Sequence, residues 1–250
     1  MRFLIYVLSF GETYYDYARM TVSSILEIGE WPHDIVVLGD TDRPFPGRAT
    51  TVVNMRSDLV ARYPWLAPRP LGLWISHVKA EVEYYVDLRR YDYVLYLDSD
   101  VLVNSNRLPG IVDALWREGI IGVMQDVPAQ HVARGYPTAG GRILGEQERQ
   151  RWGCYRINAG ILGFPTSALG RRFLRDWRRM NVAYRYASND QANLIALLLR
   201  TYYGRWGYVD DAIHGREVRR YPQTFLHITR NKDALIRPYY EQVLGLRLPA

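Results

Sequence analysis

The chain has 250 residues, 48% of them in the hydrophobic set and 23% charged, and 32 basic against 26 acidic side chains give a formal charge of +6. A chain of this length can bury roughly 70–75% of the surface its unfolded form exposes, so neither a disulfide nor a metal is needed merely to fold it. Its one cysteine, Cys154, excludes an internal disulfide, argues against a small secreted scaffold and favours a reducing, cytoplasmic location.

The first apolar run, residues 3–8, is too short for a membrane span or a signal core and predicts a strand. Further strand-length runs lie at 35–38, 51–53, 94–97, 120–124, 161–164 and 225–228. They alternate with stretches at 15–28, 74–88, 167–183 and 190–203, where apolar residues recur three and four apart and predict helices. In the third helix Ser167 is the expected N-cap, and Leu169, Phe173, Trp177 and Met180 form one apolar stripe. The alternation predicts a Rossmann-like α/β domain, a mainly parallel central sheet flanked by helices. The irregular stretch 125–153, with Gly135, Gly140, Gly141 and Gly145, reads as a substrate-facing loop.

The charge is uneven in kind and in place. Thirty of the basic residues are arginine, a preference that reads as coding bias, and only Lys79 and Lys232 are lysine. Between residues 167 and 185, Arg171, Arg172, Arg175, Arg178, Arg179 and Arg185 stand against Asp176 alone, so +5 of the +6 sits on one predicted helix. That confinement argues against nucleic acid as a partner. It leaves a solvated helix face, or a surface that docks on an anionic membrane or an acidic acceptor.

The most informative segment is residues 93–103, in which Asp98 and Asp100 are flanked on both sides by apolar runs. Two carboxylates at the edge of a core need a counter-charge, and a divalent cation would supply it. The spacing alone is weak, because Asp40 and Asp42 repeat it and read equally as solvated turn acids. Of the histidines, His33, His77, His131 and His214 show no metal-ligand spacing, and His227 follows a short apolar run.

Tyr96-Leu97-Asp98-Ser99-Asp100-Val101-Leu102-Val103 resembles the metal-binding motif of glycosyltransferases with the GT-A fold. Further segments resemble family eight of those enzymes, the glycogenin and lipopolysaccharide galactosyltransferase group. They are Ile157-Asn158-Ala159-Gly160-Ile161-Leu162, then Asn189-Asp190-Gln191 with Asn193, then His227-Ile228-Thr229-Arg230-Asn231-Lys232. Tyr14 stands where the family has a base-stacking aromatic, Ser24 at its helical serine, and Lys79 where it keeps a donor-binding lysine. The matches run in the family's order from residue 3 to about 235.

The resemblance implies a single GT-A domain, with a donor-binding part at about residues 1–105 and an acceptor and catalytic part at about 106–250. It implies a metal-dependent, retaining transfer of a sugar from a nucleotide-diphosphate sugar to a glycan, lipid-linked or other hydroxyl acceptor. Asp98, Asp100 and His227 would hold Mn²⁺ or Mg²⁺, an imidazole beside carboxylates suiting Mn²⁺ better. Tyr14, Ser9, Lys79, Ser99, Arg230 and Lys232 would contact the donor, the last two through charge-assisted bonds to its diphosphate. Asp190, Gln191 and Asn158 are the expected catalytic residues. Asp190 is either a nucleophile or, the preferred reading, a group that binds sugar hydroxyls and stabilises an oxocarbenium-like transition state.

A UDP-sugar is the favoured donor. The base stays open, because Gly11-Glu12-Thr13 precedes Tyr14 where the family commonly has Asp and Asn. Arg230 also replaces a family glycine, and Asp233-Ala234 stands where Pro-Trp is common. The other readings are a sugar nucleotidyltransferase, an inverting GT-A glycosyltransferase and, in another class, a basic nucleic-acid-binding module.

Overall fold

Residues Phe3–Ser9 are buried along their whole length and form β1, the strand around which the sheet is built. A strand buried on both faces suits a parallel sheet covered by helices on each side. The computed structural model describes residues 1–47, 50–71, 74–125, 157–184, 190–229 and 231–248. β1 leads into helix α1 (Glu12–Glu27), then β2 (Asp34–Gly39), β3 (Thr50–Asn54), the short helices α2 (Arg56–Arg62) and α3 (Ile75–Val78), and β4 (Tyr93–Leu97). β5 (Val101–Val103), α4 (Leu108–Glu118), β6 (Ile121–Gln125) and β7 (Ile157–Pro165) follow. After them come α5 (Ala168–Ala183), α6 (Asp190–Thr201), β8 (Trp206–Val209), β9 (Ala212–His214), β10 (Phe225–His227) and α7 (Lys232–Pro238).

The main sheet has seven strands in the order β3-β2-β1-β4-β7-β6-β8. Every neighbouring pair is parallel except the two that involve β7, so β7 alone among the described strands of this sheet runs the other way. Alternate residues of β1 enter different layers of core. Leu4, Tyr6 and Leu8 pack with Trp74, Phe173 and Trp177, whereas Ile5 and Val7 pack with Val22 and Ile25 of α1 and Val112 of α4. A second sheet, β5-β10-β9, pairs His227 of β10 with Val101 of β5, immediately after the second aspartate of the motif.

Three sequence expectations are corrected. The stretch 74–88 is not one helix: after α3 the chain tightens at Val78 (φ −107°, ψ 3°) into a 3₁₀ segment, Lys79–Tyr84. The cause is side-chain demand, since the Lys79 carbonyl accepts from Tyr6 Oη at 2.8 Å while Lys79 and Glu81, both buried, turn inward to partners of opposite charge. Ser167 occupies the N-cap position of α5 but makes no side-chain capping bond. The expected strand at 161–164 extends back to Ile157, so Asn158, Ala159 and Gly160 are strand residues. Helix α4 lies outside the expected helices, although Pro109 near its start and Gly119 in the left-handed conformation after its end (φ 63°) are sequence signals for it.

Candidate active site

The reversed direction of β7 assembles the site. The middle of β7 lies beside the last residues of β4, with Leu97 opposite Ile161, so its first residues run past the end of β4, where the Asp98 amide donates to the Gly160 carbonyl at 2.7 Å. On its other edge β7 slips register against β6, pairing Leu162 with Val123 but Asn158 with Met124. Residues 159–161 therefore stand out of that ladder as a bulge, which frees backbone groups for other partners. The Ala159 carbonyl accepts from Lys79 Nζ at 3.2 Å, and the Gly160 amide donates to Asn158 Oδ1 at 2.7 Å.

Asp98, Asp100 and His227 each turn a ligating atom inward, and these atoms lie within 4.8 Å of one another. His227 Nε2 is 3.2 Å from Asp100 Oδ1 and 3.7 Å from Asp98 Oδ2. The Ile228 amide donates to the Asp100 carbonyl at 3.0 Å and locks β10 to the motif. Both lysines of the chain reach this cluster. Lys79 Nζ bridges Asp98 Oδ1 at 2.9 Å and Asp190 Oδ2 at 2.8 Å, and Lys232 Nζ pairs with Asp100 Oδ2.

The electrostatics follow from burial set against these pairs. Burial opposes the charge on Lys79, but Asp190 and Asp98 outweigh it and hold the ammonium above its ordinary value. One ammonium cannot neutralise two carboxylates, and burial pushes Asp190 up despite it. Burial also works to raise Asp100, yet His227 and Lys232 hold its carboxyl well below the usual range.

The donor set fits a divalent cation. Two carboxylates and an imidazole suit Mn²⁺, and Nε2 of His227 converges with an oxygen of each aspartate. Room for the imidazole is made by Gly160, where a Cβ would fall 2.3 Å from His227 Cε1.

These groups face a cleft of about 260 Å³. Of the expected residues, Tyr14, Lys79, Asp98, Ser99, Asp100, Asn158, Asp190, Gln191, His227 and Lys232 line it. Ser9 is buried at the end of β1 and does not line it, and Arg230 lies outside the described residues. Asn189, Arg185, His131, Cys154 and nearly all of the expected loop 125–153 lie outside them too. Ser24 turns away from the cleft and ties α1 to β5, its Oγ accepting from the Val103 amide at 3.0 Å. Asp40 Oδ1 accepts from the Gly11 amide at 3.0 Å at the start of α1, while Asp42 is bonded by Asn54. Ser76 and Thr229 line the cleft without having been singled out. Ser76, one helical turn before Lys79, was detectable by that spacing.

Asp233, one of the departures from the family pattern, has a structural partner: Tyr17 Oη of α1 donates to it. That bond fixes the first turn of α7, where Lys232 points to Asp100 and its Nζ lies 5.7 Å from the Tyr14 ring centre.

The chain has the fold of the GT-A glycosyltransferases. Over 98% of its length the chain matches 97% of LgtC, a galactosyltransferase solved with donor and acceptor sugar analogues, at a TM-score of 0.62 and 18% identity. An active-site glutamine-to-glutamate mutant of LgtC matches over the same shares at 0.63 and 17%. Mouse xyloside xylosyltransferase 1 in its apo form matches at 0.60 and 11%, over 93% of this chain and 99% of that one. No protein-family model matches the chain, and no curated protein sequence does.

Proposed function

We propose that the protein is a metal-dependent, retaining glycosyltransferase of the glycogenin and lipopolysaccharide galactosyltransferase type. It would move a sugar from a nucleotide-diphosphate sugar, with UDP favoured, to a glycan, lipid-linked or other hydroxyl acceptor. One observation carries the reading: Asp98, Asp100 and His227 converge in the same cleft as Lys79, Asp190 and Gln191, on a GT-A fold. LgtC, of like fold, was solved with donor and acceptor sugar analogues, and an active-site glutamine of it was mutated. Gln191 lines the cleft here.

Asp98, Asp100 and His227 would hold Mn²⁺ or Mg²⁺, which supplies Lewis-acid neutralisation of the departing diphosphate. Lys232, part-exposed at the cleft and already paired to Asp100, would bind diphosphate oxygens with Arg230, and Tyr14 would stack on the base. Lys79 and Ser99 would complete the donor contacts, which Ser9, fully buried and off the cleft, does not reach. Asp190 and Gln191 sit at the start of α6, and with Asn158 would face the reacting sugar. Lys79 holds the Asp190 carboxylate in place, which favours charge stabilisation over nucleophilic attack. Residues at about 1–105 would form the donor part and residues at about 106–250 the acceptor part, with His227 and Lys232 reaching back to the donor side. We also infer a cytoplasmic location, supported by the single cysteine, and peripheral contact of α5 with an anionic membrane.

The test is binding and turnover of a panel of nucleotide sugars with Mn²⁺. Asp100→Ala should lower metal-dependent turnover at least ~100-fold, about 2.7 kcal/mol. A variant that binds and turns over donor like wild type sinks the assignment.

A further inference from the structure

Two buried tyrosines beneath the cleft have no part in the chemistry above. Tyr6 and Tyr96, on adjacent strands with ring centres 5.0 Å apart, are both fully buried. Tyr6 Oη donates to the Lys79 carbonyl at 2.8 Å, and the Tyr96 ring lies 5.0 Å beneath Lys79 Nζ. Tyr96 Oη donates to Asp98, and to one oxygen of it: Oδ1, the same atom that Lys79 Nζ holds at 2.9 Å.

A carboxylate oxygen has two lone pairs, and both on Asp98 Oδ1 are taken. Oδ2 is the oxygen that faces His227 Nε2, on the side where Asp100 Oδ1 stands 3.2 Å from the same nitrogen. Asp100 is divided likewise, Oδ1 to His227 and Oδ2 to Lys232.

We propose that Tyr96 is a positioning residue of the cation site: with Lys79 it occupies Oδ1 of Asp98, so that Asp98 presents Oδ2 alone to the ion. The proposal rests on reading Asp98, Asp100 and His227 as cation ligands. One donor atom from each leaves half of an octahedral shell for diphosphate oxygens and water. Without the Tyr96 hydroxyl, Asp98 would lose the contact that orients it and would meet the ion less well. Outer partners of this kind are worth roughly 10–100-fold in metal affinity.

The test is Mn²⁺ binding to the full chain without nucleotide, read by electron paramagnetic resonance. Tyr96→Phe should bind Mn²⁺ roughly 10–100-fold more weakly while its metal-free far-UV circular dichroism stays that of wild type. Tyr6→Phe leaves the Asp98 bond in place and should bind Mn²⁺ like wild type. Equal affinity of Tyr96→Phe and wild type overturns the proposal. A second measurement needs no variant: ¹⁷O-water broadening of the wild-type Mn²⁺ signal should count waters in half of the shell. A count one lower, with both oxygens of Asp98 bound, overturns it as well. A wild type that binds no Mn²⁺ overturns the cation reading along with this one, whereas tight binding by wild type and Tyr96→Phe alike removes only the role of Tyr96.

Discussion

Gly160 has no side chain because the imidazole of His227 fills the space where one would be. An added Cβ would sit 2.3 Å from His227 Cε1, 2.7 Å from its Nδ1 and 2.9 Å from Asn158 Oδ1. Gly160→Ala should therefore push His227 off the cluster. The expected outcome is a stability loss of ~1–3 kcal/mol, typical of overpacking, with a larger loss of Mn²⁺ affinity. Thermal melts and metal titration check it, and unchanged Mn²⁺ affinity would refute the account. At this scale the sequence was informative where chemistry is local. Asp98 and Asp100 stand out because apolar runs flank them, and Lys79 and Lys232 because lysine is rare in this chain. Tyr96 was not legible as a partner of Asp98, because a tyrosine in an apolar run looks like core, and only the strand's pleat aims its hydroxyl.

Helix α5 departs from the uniform basic face that its sequence suggests. Arg178 is mostly buried and pairs with Glu83, and Arg172 and Arg179 flank Asp176, which also accepts from Tyr202 Oη. Arg171 and Arg175 are exposed and have no carboxylate partner among the described residues. If α5 docks on anionic lipid, these two carry the most unspent charge. Association with phosphatidylserine vesicles should weaken as salt rises and fall at least ~30-fold on reversal of Arg171 and Arg175 to glutamate, two side chains at ~1 kcal/mol each. Sedimentation with vesicles checks this, and binding indifferent to salt and to the reversals speaks against a docking face. Among the described residues no helix is long and apolar enough to cross a membrane. Periodicity located α1, α5 and α6 well, since each buries a wide apolar stripe. It failed at 74–88, where the stripe is interrupted by Lys79 and Glu81, two charges that must also point inward. Strand direction was invisible to it, and the reversal of β7 is what brings Asn158 and Gly160 to the aspartates.

The stability of the whole molecule should depend on pH through His77, whose ring meets Trp65 edge-on at 4.9 Å. Burial, with Arg69 adding to it, lowers the imidazole from 6.5 to about 4. The folded state thus prefers the neutral ring, and unfolding takes up a proton between those values. The contribution is complete above pH 6.5 and is lost as pH falls toward 4, at no more than ~1.4 kcal/mol per pH unit. His77→Gln should flatten the stability curve over that interval relative to wild type, as read by denaturant melts. Parallel curves would refute it. The formal charge of +6 says little at this scale, because the cleft sets acids against a cation. The bulge in β7 has a consequence for how the molecule tolerates change. Its contacts to Lys79 and Asp98 come from the carbonyls of Ala159 and Gly160, and the backbone supplies a carbonyl whatever side chain stands there. The position of Ala159 is thus open to exchange among small residues. Loss of all three residues 159–161 would instead remove the slack in the strand and bring Asn158 next to Leu162 in register with β6. Substitution and deletion at one place in the chain therefore have opposite prospects.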